Sequence, residues 1–178
     1  MKKTIITKAL VLALSGVFMS SVVLAQGGTP ASPPAKATGK TKDGANIVID
    51  YSSPGVKGRK IWGDLVPYDK VWRAGANKAT ILTTDKEIKV EGKKLPAGKY
   101  SLYAIPGEKE WTIILNSASG QWGINMDGST TEDPAKDVLR VKVKPKKSKE
   151  FTERLTYTVG EKQIALVWEN LEVPVEVK

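Results

Sequence analysis

Hydrophobicity with a period of two dominates the chain from residue 45 to its end, and this pattern constrains the fold more than any other feature. Ile47, Ile49 and Tyr51 are separated by single residues, and similar alternation recurs over residues 139–144, 154–159 and 171–178. Because successive side chains of a β-strand point to opposite faces, each stretch predicts a strand with one buried face. Further strands are expected at residues 80–83, 87–90, 99–105, 111–116 and 163–168.

Turn-forming residues divide these strands at short intervals. Gly92, Pro96-Ala97-Gly98, Pro106-Gly107 and Gly160 lie between neighbouring strand candidates. Gly and Pro at such positions are typical of tight connections between adjacent strands. Apart from about one turn near residues 68–72, no stretch after residue 45 repeats its apolar residues with a helical period. We therefore expect an all-β fold, a single antiparallel β-sandwich of the Ig-like or jelly-roll-like kind, over residues 45–178.

The first 25 residues have the features of a cleaved signal peptide. Lys2, Lys3 and Lys8 form a basic start, residues 9–24 are mostly apolar, and Val23-Leu24-Ala25 provides a cleavage site before Gln26. The apolar run is shorter than the roughly 20 residues of a membrane-spanning helix, so we expect no transmembrane segment in the mature form. Removing three lysines lowers the formal net charge from +9 to +6. The sequence therefore predicts a basic protein of the periplasm or the extracellular medium.

Residues 26–44 differ in composition from everything after them. They are rich in Gly, Pro, Ala, Thr, Ser and Lys. Such a segment has few apolar side chains with which to form a core, so it is predicted to be a flexible leader. The domain organisation expected is thus a signal peptide at 1–25, a leader at 26–44 and a β-sandwich domain at 45–178.

The chain contains no cysteine and no histidine, which removes several classes of function. Without cysteine there are no disulfides, and without either residue there is no Ser-His-Asp or Cys-His nucleophile and no ordinary zinc or copper site. We therefore favour a binding or scaffolding protein over an enzyme, and expect no catalytic residues, no metal and no cofactor. A basic exported protein suits an anionic or carbohydrate ligand of the cell envelope, and export makes nucleic acid an unsuitable partner.

A long Gly-rich segment at residues 52–78 interrupts the alternation and carries the candidate ligand-binding residues. Arg binds carboxylates and phosphates through its planar guanidinium, Trp offers a stacking face, and Asn both donates and accepts hydrogen bonds. The structural alternative is that these tryptophans pin the segment to the core while the arginines bond loop carbonyls or Asp50. The candidate ligand-binding residues are Arg59, Trp62, Trp72, Arg73 and Asn77, with Trp122 at the rim.

Several motifs resemble one family of exported bacterial proteins. They include DYSSPGVKGRKIWG at residues 50–63, LVPY at 65–68, VWRAGAN at 71–77 and LPAGKYSL at 95–102, and the match continues through IPG at 105–107, DVLRV at 137–141 and WE at 168–169. This chain is similar to the domain-of-unknown-function family 2911 over nearly all of its mature part. The resemblance implies a β-rich secreted domain with no assigned activity.

Three other groups of residues have functional readings that compete with plainer ones. Asp50, Asp64 and Asp69 permit an alternative function, a carboxylate-dependent hydrolase of envelope glycan, because glycoside hydrolysis uses two carboxyl groups. A third alternative is a purely structural domain with no small ligand. The basic run at residues 142–149 suits an anionic surface or a solvated strand edge. The last group is acidic, and it either supplies oxygen ligands to calcium or forms a solvated loop. Its members are Asp127, Glu132, Asp133 and Asp137.

Overall fold

The computed structural model describes residues 30–178, and the predicted signal peptide at 1–25 lies outside the described residues. The described part is built from strands and contains one short 3-10 helix at Pro134–Lys136. The strands are β1 (Pro34–Lys40), β2 (Asn46–Ser52), β3 (Thr80–Thr84), β4 (Ile88–Val90), β5 (Lys93–Leu95), β6 (Gly98–Ile105), β7 (Trp111–Asn116), β8 (Asp137–Val143), β9 (Lys146–Val159) and β10 (Gln163–Glu176).

Six strands form one antiparallel sheet in the order β1-β2-β3-β6-β7-β8. The long strands β9 and β10 pair as a separate antiparallel ribbon, and β4 pairs with β5 as a small hairpin. One bridge, Val90 to Val177, joins the hairpin to the end of the ribbon. The predicted all-β class and antiparallel pairing are confirmed. No helix among residues 30–178 has the length and apolar character needed to cross a membrane.

The main core lies between the six-stranded sheet and the β9–β10 ribbon. Strand register places apolar residues side by side on the inner face of the sheet: Leu102 lies opposite Leu115, and Leu115 lies opposite Leu139. Leu155 and Leu166 of the ribbon belong to the same buried cluster. Each fully buried aliphatic side chain of this kind contributes roughly 1.5–3 kcal/mol relative to exposure. The sequence alternates with a period of two because one face of each strand packs against the opposite layer.

The outer face of the sheet is covered at its centre by the residues between β7 and β8. Tyr103 and Ile114 point outward there, yet both are fully buried. Thr131 and Gln121 come from residues 117–136, which we call the covering segment, and both hydrogen-bond the Tyr103 hydroxyl at 3.2 and 3.0 Å. Since β6 and β7 are buried on both faces, their sequences are nearly continuous in apolar residues.

The structure corrects the prediction that all of residues 26–44 form a flexible leader. Pro34–Lys40 is strand β1, which pairs with β2 along its whole length and forms the edge of the sheet. The strand needs few apolar residues because only Ala37 is fully buried. A Cβ on Gly39 would lie 2.3 Å from the carbonyl oxygen of Val159, so glycine is what lets β1 approach β9. The β-domain therefore begins before residue 45.

The basic run at residues 142–149 covers the end of one strand and the start of the next. Strand β8 ends at Val143 and β9 begins at Lys146, so only two residues connect them. Lys142 pairs with Glu110 at 2.7 Å, and Lys146 pairs with Glu172 at 3.1 Å. Most of the run is therefore strand, and two of its lysines have carboxylate partners on neighbouring elements.

Candidate functional site

Four tryptophans pack together and fix the Gly-rich segment to the core; we call them the tryptophan cluster. Trp62 lies edge-on to Trp111 and Trp168, with ring centroids 5.0 and 5.7 Å apart. Trp72 is stacked on Trp168 at 6.2 Å with an interplanar angle of 16°. Aromatic pairs of this kind add about 0.5–1.5 kcal/mol each beyond the burial of their area. Two members come from the loop and two from strands β7 and β10, which explains how a long segment without strands stays ordered.

A cavity of about 780 Å³ opens over this cluster, within the size range of small-molecule sites. Trp72 and Trp168 contribute its aromatic wall, and Leu65, Val66, Pro67, Val71 and Ile124 contribute aliphatic surface. One side belongs to residues 54–76, and the other, including Ser129 and Thr130, belongs to the covering segment. The charged side chains in the wall are Arg59, Asp69, Lys70 and Arg73.

Both arginines of the wall are held by backbone carbonyls. Arg59 donates from Nε to Val56 at 3.1 Å and from Nη2 to Gly55 at 2.6 Å. Arg73 donates from Nη1 to the Asn77 carbonyl at 2.7 Å. Within residues 30–178, neither guanidinium has a carboxylate oxygen within 4.0 Å. Burial lowers the pKa of Arg73, since desolvation disfavours its charge. Two guanidiniums that have no carboxylate partner in the described part of the chain therefore border the cavity.

The backbone beside the cavity carries much of the strain in the described chain. Lys57, Asp69, Ala74 and Asn77 have positive φ values of 49°, 58°, 51° and 57° without being glycine. The carbonyl of Ala74 accepts hydrogen bonds from the hydroxyls of Thr80 and Tyr157, at 2.9 and 2.8 Å. Strained backbone of this kind persists only where the surroundings enforce it, and it clusters at ligand clamps and active sites.

The structure brings together three of the six predicted site residues in the cavity wall, namely Arg59, Trp72 and Arg73. Trp62 packs within the tryptophan cluster, and its buried indole N–H has no hydrogen-bond partner among residues 30–178. Asn77 donates from its side chain to Ser32 and receives Arg73 on its carbonyl. Trp122 is 52% exposed, and its carbonyl oxygen lies 3.5 Å from Nη1 of Arg73. These last three are outside the wall.

The acidic residues of the covering segment have structural partners. Asp127 accepts hydrogen bonds from the backbone N–H and hydroxyl of Ser129, and Asp133 caps the 3-10 helix. Arg140 bridges the carboxylates of Glu132 and Asp137 at 2.7 and 2.5 Å. Among the described residues no group of three or more acidic side chains is placed to hold a metal ion. These ion pairs hold the covering segment against β8. The segment also packs closely against the site, since a Cβ on Gly123 would lie 2.8 Å from the Cβ of Arg73.

The carboxylates considered for glycoside hydrolysis do not share the cavity. Asp50 lies on β2 and pairs with Lys36 of β1 at 2.8 Å. Asp69 belongs to the cavity wall, whereas Asp64 does not. A two-carboxylate mechanism needs both groups flanking one bond, about 5–10 Å apart. Among the described residues the wall supplies a single carboxylate.

Sequence reasoning missed several residues of the wall. Asp69 was considered only as a hydrolase carboxylate, and Lys70 lies between the LVPY and VWRAGAN motifs, where its residue type alone carries no site signal. Trp168 belongs to strand β10, about a hundred residues from Trp72, and only folding shows that the two stack. Ile124, Ser129 and Thr130 come from the covering segment, whose position over the cavity follows from its contacts with β6.

Comparison with known proteins adds one finding. A family model described as "Protein of unknown function (DUF2911)" matches residues 32–177, which include every strand of the described chain. No curated protein and no solved structure matches the chain significantly.

Proposed function

The chain belongs to the DUF2911 family of proteins of unknown function, and we propose that it is an exported cell-envelope domain that binds an anionic or carbohydrate ligand. The cavity over the tryptophan cluster is the binding site. One observation carries this proposal: Arg59 and Arg73 border an aromatic cavity without a carboxylate partner within residues 30–178. Arg73 is half-buried, and a charge removed from water is costly unless a partner pairs with it, whereas Arg59 is exposed to solvent and adds a second positive charge to the wall.

Binding is favoured over hydrolysis by the chemistry of the wall. The whole chain lacks histidine and cysteine, and the described wall offers one carboxylate, Asp69. Its other charged groups, Arg59, Lys70 and Arg73, donate hydrogen bonds and have no acceptor atom in their side chains. Such groups hold and orient an anion, but they do not accept a proton from an attacking water.

An open cavity also argues against a purely structural role for the Gly-rich segment. Trp62 does pack against the core, and both arginines bond loop carbonyls, as the structural alternative expects. Trp72 and Arg73, however, remain half-buried and line the cavity. A segment needed only to seal the core would cover these groups.

The proposal is tested with the mature protein, residues 26–178, by saturation-transfer NMR against N-acetylglucosamine, glucuronate and glycerol 3-phosphate. We expect at least one to bind, and Arg73→Gln to weaken its binding about tenfold or more, the size of a lost charged hydrogen bond. Lys70→Gln is a second site variant, because Lys70 is exposed and has no carboxylate partner within residues 30–178. Lys99→Gln on the outer face of β6 is the matched control.

Loss of binding in both site variants, with unchanged thermal stability, supports the cavity as the site. If none of the three compounds binds at millimolar concentration, or if Lys99→Gln weakens binding as much as Lys70→Gln, the proposal is wrong.

A further inference from the structure

The charged side chains of the cavity wall include more hydrogen-bond donors than acceptors. Arg59, Lys70 and Arg73 only donate hydrogen bonds. Asp69 is the one carboxylate, and the described part of the wall contains no Asn or Gln side chain. Serine and threonine hydroxyls serve as either donor or acceptor. The wall therefore matches a ligand that is rich in acceptors.

A neutral sugar does not have that property. Each hydroxyl of a neutral glycan is a donor as well as an acceptor, and burying it without an acceptor leaves a donor unsatisfied at a cost of about 1–3 kcal/mol. A carboxylate or phosphate has only acceptors at neutral pH. It also supplies an anionic partner, which neither Arg59 nor Arg73 has within 4.0 Å among residues 30–178.

Both guanidiniums keep unused donors. The hydrogen bonds that hold Arg59 use Nε and Nη2, which leaves Nη1, and the bonds of Arg73 to described residues use Nη1, which leaves Nε and Nη2. The Nε and Nη2 edge of a guanidinium is one of those that pair with a carboxylate or phosphate through two parallel hydrogen bonds. Arg73 can therefore bind an anion without releasing the carbonyl that fixes its loop.

The apolar residues of the wall determine what the uncharged part of the ligand is made of. A cavity of about 780 Å³ is far larger than one inorganic anion, and much of its surface is Leu65, Val66, Val71 and the rings of Trp72 and Trp168. Apolar area of this kind contributes roughly 25 cal/mol for each Å² removed from water. Resting on the proposed function, we infer that the ligand is an acidic compound with a flat apolar ring or chain, and not a neutral glycan.

The test uses two fluorescent probes that differ by one charged group. 8-Anilinonaphthalene-1-sulfonate carries a sulfonate, and N-phenyl-1-naphthylamine has the same rings without it. We expect the mature protein to bind the sulfonate probe at least tenfold more tightly. Lys70→Gln and Arg73→Gln should remove most of that difference while leaving the affinity of the neutral probe unchanged. Lys99→Gln should alter neither affinity.

Competition identifies the acidic group. 1-Naphthoate and 1-naphthyl phosphate are titrated against the bound sulfonate probe, with inorganic phosphate as the arm that lacks a ring. Displacement at lower concentration by one naphthyl compound assigns the ligand to carboxylates or to phosphates. Inorganic phosphate is expected to need at least a tenfold higher concentration than either naphthyl compound.

The inference is overturned if the neutral probe binds as tightly as the sulfonate, or if Arg73→Gln leaves the sulfonate affinity unchanged. In that case binding of N-acetylglucosamine in the NMR experiment would still uphold the proposed function, with a neutral glycan as ligand. Failure of both probes and of all three NMR compounds would reject the ligand class and the proposed function together.

Discussion

Replacing Arg140 with glutamine tests how the covering segment is held in place. The Arg140 guanidinium bonds Glu132 and Asp137, whose side chains are 3% and 10% exposed, while Arg140 itself is 41% exposed. Burial, followed by the nearby charge of Asp137, raises the pKa of Glu132, and Arg140 offsets part of that rise. Arg140→Gln would leave two packed carboxylates without their countercharge.

The expected cost follows from these exposures. Breaking a fully buried ion pair by removing one partner costs about 3–5 kcal/mol. Because water screens the partly exposed guanidinium, we expect a smaller loss in the free energy of unfolding, about 2 kcal/mol at pH 7. With a urea dependence of about 2 kcal/mol per molar, the unfolding midpoint should fall by about 1 M.

The cost should also depend on pH. In the variant the pKa of Glu132 rises further, because a positive charge has been removed. A carboxyl group with a raised folded-state pKa contributes stability that is present below its unfolded pKa and is lost as pH rises through the folded value. The penalty of Arg140→Gln should therefore be largest at pH 7 and smaller at pH 5, because a raised pKa moves protonation of Glu132 toward higher pH.

Urea unfolding followed by tryptophan fluorescence at both pH values measures this penalty. Glu132→Gln is the matched control, since it keeps the pair between Asp137 and Arg140. The double variant, with both substitutions, should be more stable at pH 7 than Arg140→Gln alone. Equal penalties at pH 7 and pH 5, together with additive effects in the double variant, would refute the reasoning.

Two further predictions concern the amino-terminal part of the chain. Gly39→Ala places a methyl group against the backbone of Val159, where a Cβ would lie 2.3 Å from the carbonyl oxygen, and should lower the free energy of unfolding by about 1–3 kcal/mol; an unchanged urea midpoint would contradict this close packing. Export with cleavage after Ala25 should yield a periplasmic or secreted protein whose mass corresponds to residues 26–178, and recovery of the full 178-residue chain from the cytoplasm would contradict it.

The strands that alternate in sequence were predictable because each faces a core on one side only. β2 and β8 show this most clearly, with Ile47 and Ile49 buried on one strand and Leu139 and Val141 on the other. Strand β1 was not predicted because β9 packs so closely against it that position 39 is occupied by glycine and not by an apolar side chain. Composition then resembles a linker even though every residue of the strand is paired.

The candidate site was predictable only in its local part. Arg59, Trp72 and Arg73 lie within one Gly-rich segment whose residue types indicate a site. Trp168 and Ile124 line the same cavity although they are far apart in the chain, and no pattern in the sequence indicates that they come together. Trp62 and Trp72 share a residue type, a segment and partial burial, and only the folded structure shows that Trp72 lines the cavity whereas Trp62 does not.

The carbonyl bonds of Arg59 and Arg73 have a consequence for the thermodynamics of association. An arginine side chain has many rotamers, and immobilising one at an interface costs about 0.5–1.5 kcal/mol. Here both guanidiniums are anchored to Gly55, Val56 and Asn77 before any ligand arrives, so that entropy is lost during folding. The cavity is therefore preorganised for the acidic ligand that we propose, because its donors are fixed before binding.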